Sequence, residues 1–361
     1  MEIALYLIAG FILLVIGAEL LVRGAARLAA GFGISPLIIG LTIVAFGTSA
    51  PEMAVSTQSA INGQGDIAIG NVVGSNILNV LLILGLSAVI TPLVVTRRLV
   101  TIDVPIMIAA SALAWALAID GSYSRADGLI LFAAILAYTG YLIFDSIRKR
   151  NKGEAIEVDD EYTADNEPNS AKTTAKNIAL IIVGLVMLVA GSDLLVKGAV
   201  SLATLLGLSE LVIGLTIVAI GTSLPELATS VIAAMKGQRD IAVGNIVGSN
   251  LFNLLAVLGL AGLVSPQAIE ISKQAITFDF PIMMIVAVAC LPIFFTSFKV
   301  SRWEGWLFIL YYIIYTAYII LGSQNFAYMD QFSSAVLYYA APVTLIILAL
   351  SLLLNFKKSK L

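Results

Sequence analysis

Apolar residues run along this chain in long blocks rather than in alternation. Ile3 to Val22, Ile178 to Val196 and Ala335 to Leu354 each approach the ~20 largely apolar residues that a helix needs to cross a hydrocarbon core of roughly 30 Å. The same pattern predicts eleven helices, centred near residues 13, 46, 80, 110, 135, 187, 220, 252, 286, 312 and 344. A polar segment from Arg148 to Lys176 separates the fifth from the sixth. Its stretch Glu154 to Glu167 is acidic, poor in apolar residues and followed by Pro168, the composition of an unstructured linker. The expectation is an all-α polytopic membrane protein. A five-helix unit spans 1–147, the linker 148–176 and a second five-helix unit 177–325, with an extra spanning helix and a basic tail over 326–361.

Composition agrees, at 60% hydrophobic and 12% charged residues: a soluble domain is nearer half apolar and a quarter charged. The first block opens Met1-Glu2 rather than with a basic run and recurs in mid-chain, so it is read as structure and not as a cleaved signal. Placing the linker in the cytoplasm puts every Lys and Arg inside except Arg125, Lys197 and Lys273. That strong positive-inside bias predicts a multi-pass protein of the cell membrane, its N-terminus outside and its C-terminus inside. Cys290 is the single cysteine and there is no histidine. Disulfides within the chain, multi-cysteine metal sites and imidazole proton relays are thereby excluded. Chemistry inside the membrane falls to Asp and Glu.

The chain repeats itself. Ser35 to Ser56 (SPLIIGLTIVAFGTSAPEMAVS) returns as Ser209 to Ser230 (SELVIGLTIVAIGTSLPELATS), and Asp66 to Asn79 (DIAIGNVVGSNILN) returns as Asp240 to Asn253 (DIAVGNIVGSNLFN), both at a shift of 174. Weaker echoes pair Glu19 with Asp193, the run around Asp103 with that around Asp279, and SRADG with SRWEG. With five helices per unit, the second begins on the opposite side from the first, so the repeats have inverted topology and their motifs meet near the midplane.

In each motif a proline interrupts an apolar helix one residue before a glutamate, Pro51 before Glu52 and Pro225 before Glu226. Proline has no N–H and its ring clashes with the carbonyl four residues back, so carbonyls of the preceding turn leave the helix ladder. In hydrocarbon such a break is tolerated where it lines a cavity or binds a cation. Thr48 and Glu52, Thr222 and Glu226, Ser75 and Asn79, and Ser249 and Asn253 are each four apart, on one helical face. Gly70, Gly74, Gly85, Gly244, Gly248 and Gly259 allow helices to approach closely. Intramembrane acids are rare and mostly functional, and two neighbouring carboxylates cannot both stay ionised without a counter-charge. Oxygen ligands without sulfur or imidazole select Na+, Ca2+ or a similar hard ion. Two bidentate carboxylates and two carbonyls supply about six oxygens, within the range that Ca2+ takes.

The motif GTSxPE followed by GNxVGSNxxN, present twice, closely resembles the α-repeats of the calcium/cation antiporter superfamily, in its prokaryotic Na+/Ca2+ exchanger branch. The resemblance spans both halves. It implies that Na+ and Ca2+ bind alternately to Thr48, Ser49, Glu52, Ser75 and Asn79 together with Thr222, Ser223, Glu226, Ser249 and Asn253, and to the backbone carbonyls of Ala45 and Ala219. It also implies that the first helix of each half, carrying Glu19 or Asp193, slides to change access. Some relatives carry Asp where this chain has Asn253, and ten helices are usual where eleven are predicted here. A H+/Ca2+ exchanger of the same superfamily, or a passive channel, would use the same carboxylates. The four Thr and Ser oxygens favour Na+. No nucleophile with a positioned base and no cofactor motif stands in the sequence, so no enzyme is expected. The expected partners are inorganic cations and the lipid bilayer, with neither cofactor nor nucleic acid.

Overall fold

The computed structural model describes residues 2–32, 34–151, 171–205, 219–295 and 298–323. In chain order the helices are α1 (Glu2–Phe32), α2 (Pro36–Thr48), α3 (Ala50–Ile61), α4 (Gly65–Ile90), α5 (Leu99–Ala118), α6 (Arg125–Asn151), α7 (Ala171–Leu205), α8 (Ala219–Gly221), α9 (Leu224–Met235), α10 (Arg239–Val264), α11 (Ala275–Phe295) and α12 (Arg302–Ser323). Among the described residues, four two-residue strands lie at the helix ends: β1 (Leu93–Val94), β2 (Ser122–Tyr123), β3 (Ile269–Glu270) and β4 (Lys299–Val300).

Among the described residues eight helices are long and apolar enough to cross a membrane, and α2 with α3, bent by 48°, makes a ninth. The protein is therefore an all-α, multi-pass membrane protein. Helix α9 is a shorter apolar helix. The residues that precede α8, the helix expected near residue 344 and the acidic stretch Glu154 to Glu167 lie outside the described residues.

Proline chemistry sets the bend. A residue without an N–H is harmless in the first turn of a helix, and Pro51 sits there in α3 as Pro225 does in α9. The chain accordingly stops at Thr48, turns at Ser49 and restarts. Further wide, π-helical turns occur at Gly40–Val44 in α2, Asn79–Leu84 in α4 and Phe252–Val257 in α10. Such turns gather at functional sites.

Helices α4 and α10 form the centre, with 72% and 89% of their apolar cores buried against only 17% in α12. Helix α6 packs on α10 where Gly128 meets Gly259, and α12 packs on α4 where Gly85 meets Gly305. Gly244 and Gly248 press on α2, whereas Gly70 and Gly74 have no close neighbour among the described residues. Helices α1 and α7 pack along their length with Gly10 against Gly191, Gly17 against Gly184 and Gly24 against Asn177, so they run antiparallel. A Cβ on Gly184 would lie 2.7 Å from the Gly17 carbonyl oxygen; only glycine lets the two backbones touch. The strands pair antiparallel across the halves, Leu93 with Val300 and Val94 with Lys299, Ser122 with Glu270 and Tyr123 with Ile269.

Candidate ion-binding site

The breaks after Thr48 and before Leu224 bring Glu52 of α3 and Glu226 of α9 to the centre of the bundle, both with no solvent exposure. Each acid is served by the opposite half. Ser49 Oγ donates to Glu226 Oε1 at 3.0 Å and Ser223 Oγ donates to Glu52 Oε1 at 2.8 Å. Ser223 Oγ also lies 3.1 Å from Ser75 Oγ on α4, and Thr48 Oγ1 lies 3.5 Å from Ser249 Oγ on α10. Thr48 and Ser249 stand beside the Glu226 carboxylate and Thr222 beside that of Glu52. The structure thus brings Thr48, Ser49, Glu52, Ser75, Thr222, Ser223, Glu226 and Ser249 into one polar cluster.

Asn79 and Asn253 open the wide turns of α4 and α10, and both are buried. Asn79 Nδ2 donates to Asn250 Oδ1 at 3.0 Å. Its Oδ1, and both side-chain polar atoms of Asn253, have no hydrogen-bond partner. The carbonyl of Ala45 is not released by Pro51: it accepts the Ser49 N–H at 3.0 Å, because the proline's missing donor frees the residue four before it, Gly47, and not Ala45. Ala219 opens α8. The carbonyl of Gly221, four before Pro225, accepts a bond from Ser192 Oγ on α7.

Electrostatics single out the two glutamates. Glu52 Oε2 and Glu226 Oε2 are buried without a donor, and no Lys or Arg pairs with either acid among the described residues. The other intramembrane acids differ. Asp103 faces Arg98 at 3.5 Å and accepts from Tyr138 at 3.0 Å, while Asp279 accepts from Tyr315 at 3.3 Å. Glu19 on α1 pairs with Arg23 at 2.9 Å and with Lys236 at the end of α9 at 2.7 Å, whereas Asp193 on α7 pairs with Lys197 at 2.6 Å. A buried carboxylate oxygen with neither donor nor cation is costly, and two of them facing one cluster of neutral oxygens make a place for a desolvated cation.

Two residues escaped the sequence reading. Asn71 on α4 and Asn245 on α10 sit in this cluster, each bonded to both halves. Their signal was present, since both lie inside the repeated motif one turn before Ser75 and Ser249.

Buried acids without basic partners, carried on helices that break in mid-membrane, characterise proteins that move cations across a bilayer. Comparison with known proteins agrees. The family model described as sodium/calcium exchanger protein matches residues 2–144 and 176–321. The chain is similar to sodium/calcium exchanger MaX1 of Methanosarcina acetivorans, 32% identical over 339 residues that cover 86% of this chain and 96% of the relative. It is 40% identical over 285 residues to inner membrane protein YrbG of Escherichia coli, covering 78% and 85%. Its fold resembles the solved structure of the sodium-calcium exchanger NCX_Mj soaked with 10 mM Na+ and zero Ca2+, with a TM-score of 0.74, 30% identity and coverage of 87% of this chain and 97% of that one. The chain belongs to the sodium/calcium exchanger family, in its prokaryotic branch, and is a membrane cation antiporter.

Proposed function

We propose that the protein exchanges Na+ for Ca2+ by alternating access, at a midplane site between Glu52 and Glu226. The observation that carries this reading is the pair of fully buried carboxylates, each keeping one oxygen without a donor. One Ca2+ or two Na+ neutralises the pair, so either load makes the site compatible with low dielectric while an empty site is not. The proposed ligands are both glutamates, Thr48, Ser49, Thr222, Ser223, Ser75, Ser249, Asn79 and Asn253. The Ala45 and Ala219 carbonyls complete the set; that of Ala45 accepts the Ser49 N–H and lies 3.4 Å from Thr48 Oγ1, whose shorter contact is with Asn245 Oδ1. The test is Ca2+ uptake into proteoliposomes loaded with Na+, with K+ or with a proton gradient. Uptake driven by Na+ alone is expected; uptake driven by protons without Na+ would overturn the assignment of the driving ion.

The proposed architecture is two inverted five-helix repeats, 1–147 and 177–325, joined by the cytoplasmic linker 148–176 and followed by an extra spanning helix within 326–361. The N-terminus lies outside and the C-terminus inside. Supporting the inversion, the repeat mates α1 and α7 run antiparallel, and β1 pairs with β4 as β2 pairs with β3. Sliding of α1 and α7 along their glycine contacts would change access.

Ser75 and Ser249 offer neutral oxygens, which suffice for Na+ but not for Ca2+. Alanine at both is expected to raise the Na+ concentration for half-maximal uptake several-fold while moving the Ca2+ requirement less. Titration of each ion at saturation of the other checks this; equal shifts would count against separate roles.

Asn253→Asp adds a third carboxyl to a dry site that already holds two. Three cannot all stay ionised around one cation, so the group must exchange protons in the working range. Na+-driven uptake is expected to survive and to become more strongly pH-dependent near neutrality than in the parent. Superimposable pH profiles would place Asn253 outside the ion cluster.

A further inference from the structure

Thr48 and Thr222 stand beside the carboxylates, but a hydroxyl is a useful cation ligand only if its proton points away from the ion. The hydrogen bonds of two asparagines decide that direction. Asn245 Nδ2 lies 3.4 Å from the Glu226 backbone carbonyl and 3.0 Å from Ser230 Oγ. A carbonyl only accepts, so the amide nitrogen must face it and Oδ1 must face the other way. Oδ1 then lies 3.1 Å from Thr48 Oγ1. This oxygen is likewise an acceptor only, and it lies nearer to Thr48 Oγ1 than the Ala45 carbonyl oxygen does at 3.4 Å, so Thr48 donates its single proton to Oδ1.

The other half repeats the logic. Asn71 Nδ2 lies 3.3 Å from the Glu52 carbonyl and 2.9 Å from Ser56 Oγ, and Thr222 Oγ1 donates to Asn71 Oδ1 at 3.2 Å. Each amide is thus oriented by the backbone of its own half's glutamate and takes the proton of the other half's threonine. Thr48 lies 197 residues from Asn245 and Thr222 lies 151 from Asn71, so both bonds arise solely from packing between the halves.

We propose that Asn71 and Asn245 are positioning residues that hold the Thr222 and Thr48 hydroxyls with their lone pairs toward the transported ion. This rests on the reading that Na+ and Ca2+ bind between Glu52 and Glu226. The asparagines do not touch the ion; they withdraw the proton that would otherwise repel it. Released from Asn245, Thr48 would turn its proton to the Ala45 carbonyl at 3.4 Å or to the adjacent Glu226 carboxylate, both proposed ion ligands, and an entering Na+ would first have to break that bond. Na+ binding suffers most, because Ca2+ relies more heavily on the carboxylates.

A double-mutant cycle tests the inference in proteoliposomes holding the full chain. Asn245→Ala and Thr48→Val are each expected to raise the Na+ concentration for half-maximal Ca2+ uptake about fivefold, the worth of one net hydrogen bond. The double variant should show about the same shift as either single one, whereas Asn245→Ala with Thr222→Val should multiply. If Asn245→Ala does not yield monodisperse protein, Ser230→Ala removes only the hydroxyl that Asn245 Nδ2 reaches. Its smaller shift should vanish in the Thr48→Val background. Multiplying effects for the contacting pair on a working exchanger, a Ser230→Ala shift that persists without the Thr48 hydroxyl, or a loss of maximal rate with unchanged Na+ dependence would overturn the inference alone. Absence of Na+-dependent uptake in the unmutated protein would overturn the exchange reading, and this inference with it.

Discussion

Glu52→Gln and Glu226→Gln are each expected to abolish Ca2+ uptake while leaving a folded protein. The substitution keeps shape and volume, so nothing in the packing changes; what disappears is one of the two negative charges facing the ion. Two unit charges about 4 Å apart interact with about 4 kcal/mol at an effective dielectric constant of about 20, and for a divalent ion the loss is roughly doubled. Each 1.4 kcal/mol is about tenfold in affinity, so Ca2+ binding should fall by several orders of magnitude. Thermal unfolding supplies a second readout. Saturating Ca2+ stabilises whatever it binds, by about 2.7 kcal/mol at a hundredfold excess over Kd. The parent should therefore melt higher in Ca2+, and either variant should not. Without Ca2+ the variants should be at least as stable as the parent, since a buried carboxylate oxygen that lacks a partner has become a neutral amide. Uptake like that of the parent in either variant would remove Glu52 and Glu226 from the site.

The second large effect is expected from a residue with no side chain. A Cβ at Gly184 would meet the Gly17 carbonyl oxygen and the Leu21 amide nitrogen, both at 2.7 Å. Neither backbone atom can step aside, so α1 and α7 must separate along their shared face. Overpacking of this kind costs about 1–3 kcal/mol, and it falls on the two helices whose sliding is proposed to change access. Gly184→Ala should lower the melting temperature and cut exchange severely, and Gly184→Leu should leave no exchange. Gly198→Ala is the control. There the new methyl would meet Leu7 Cδ2 at 2.9 Å, Leu7 Cγ at 3.0 Å and Tyr6 Cβ at 3.1 Å and no backbone atom as near; Leu7 can change rotamer, so the effect should be smaller than at Gly184. Equal losses at Gly184 and Gly198 would mean that the backbone contact has no special role.

That the chain is an all-α, multi-pass membrane protein was legible in one dimension because the bilayer makes it so. Lipid offers no hydrogen bonds, so a long apolar block must become a helix, and Ile3 to Val22 and Ile178 to Val196 duly lie within α1 and α7. The repeat of 174 residues marked Glu52 and Glu226, and the prolines beside them marked the breaks. These inferences needed only composition, period and the chemistry of proline. The glycines of α1 and α7 were also visible, at Gly10, Gly17 and Gly24 and at Gly184, Gly191 and Gly198. A spacing of seven alone does not say which helix meets which.

Other features belonged to the tertiary structure alone. Helix rotation and the approach of one half to the other decide which hydroxyl serves which acid. Ser49 and Ser223 each sit three residues from a glutamate in the chain, yet each donates to the glutamate of the other half. Asn71 and Asn245 read as unremarked letters of a repeated motif until their threonine partners arrive from the opposite half. The Ala45 carbonyl, an ion ligand by resemblance, also accepts the Ser49 N–H because the chain turns only at Ser49. Hydropathy and repetition say which residues enter the membrane; the direction of a hydroxyl proton is set by whatever acceptor lies nearest in space, and no local pattern along the chain carries that information.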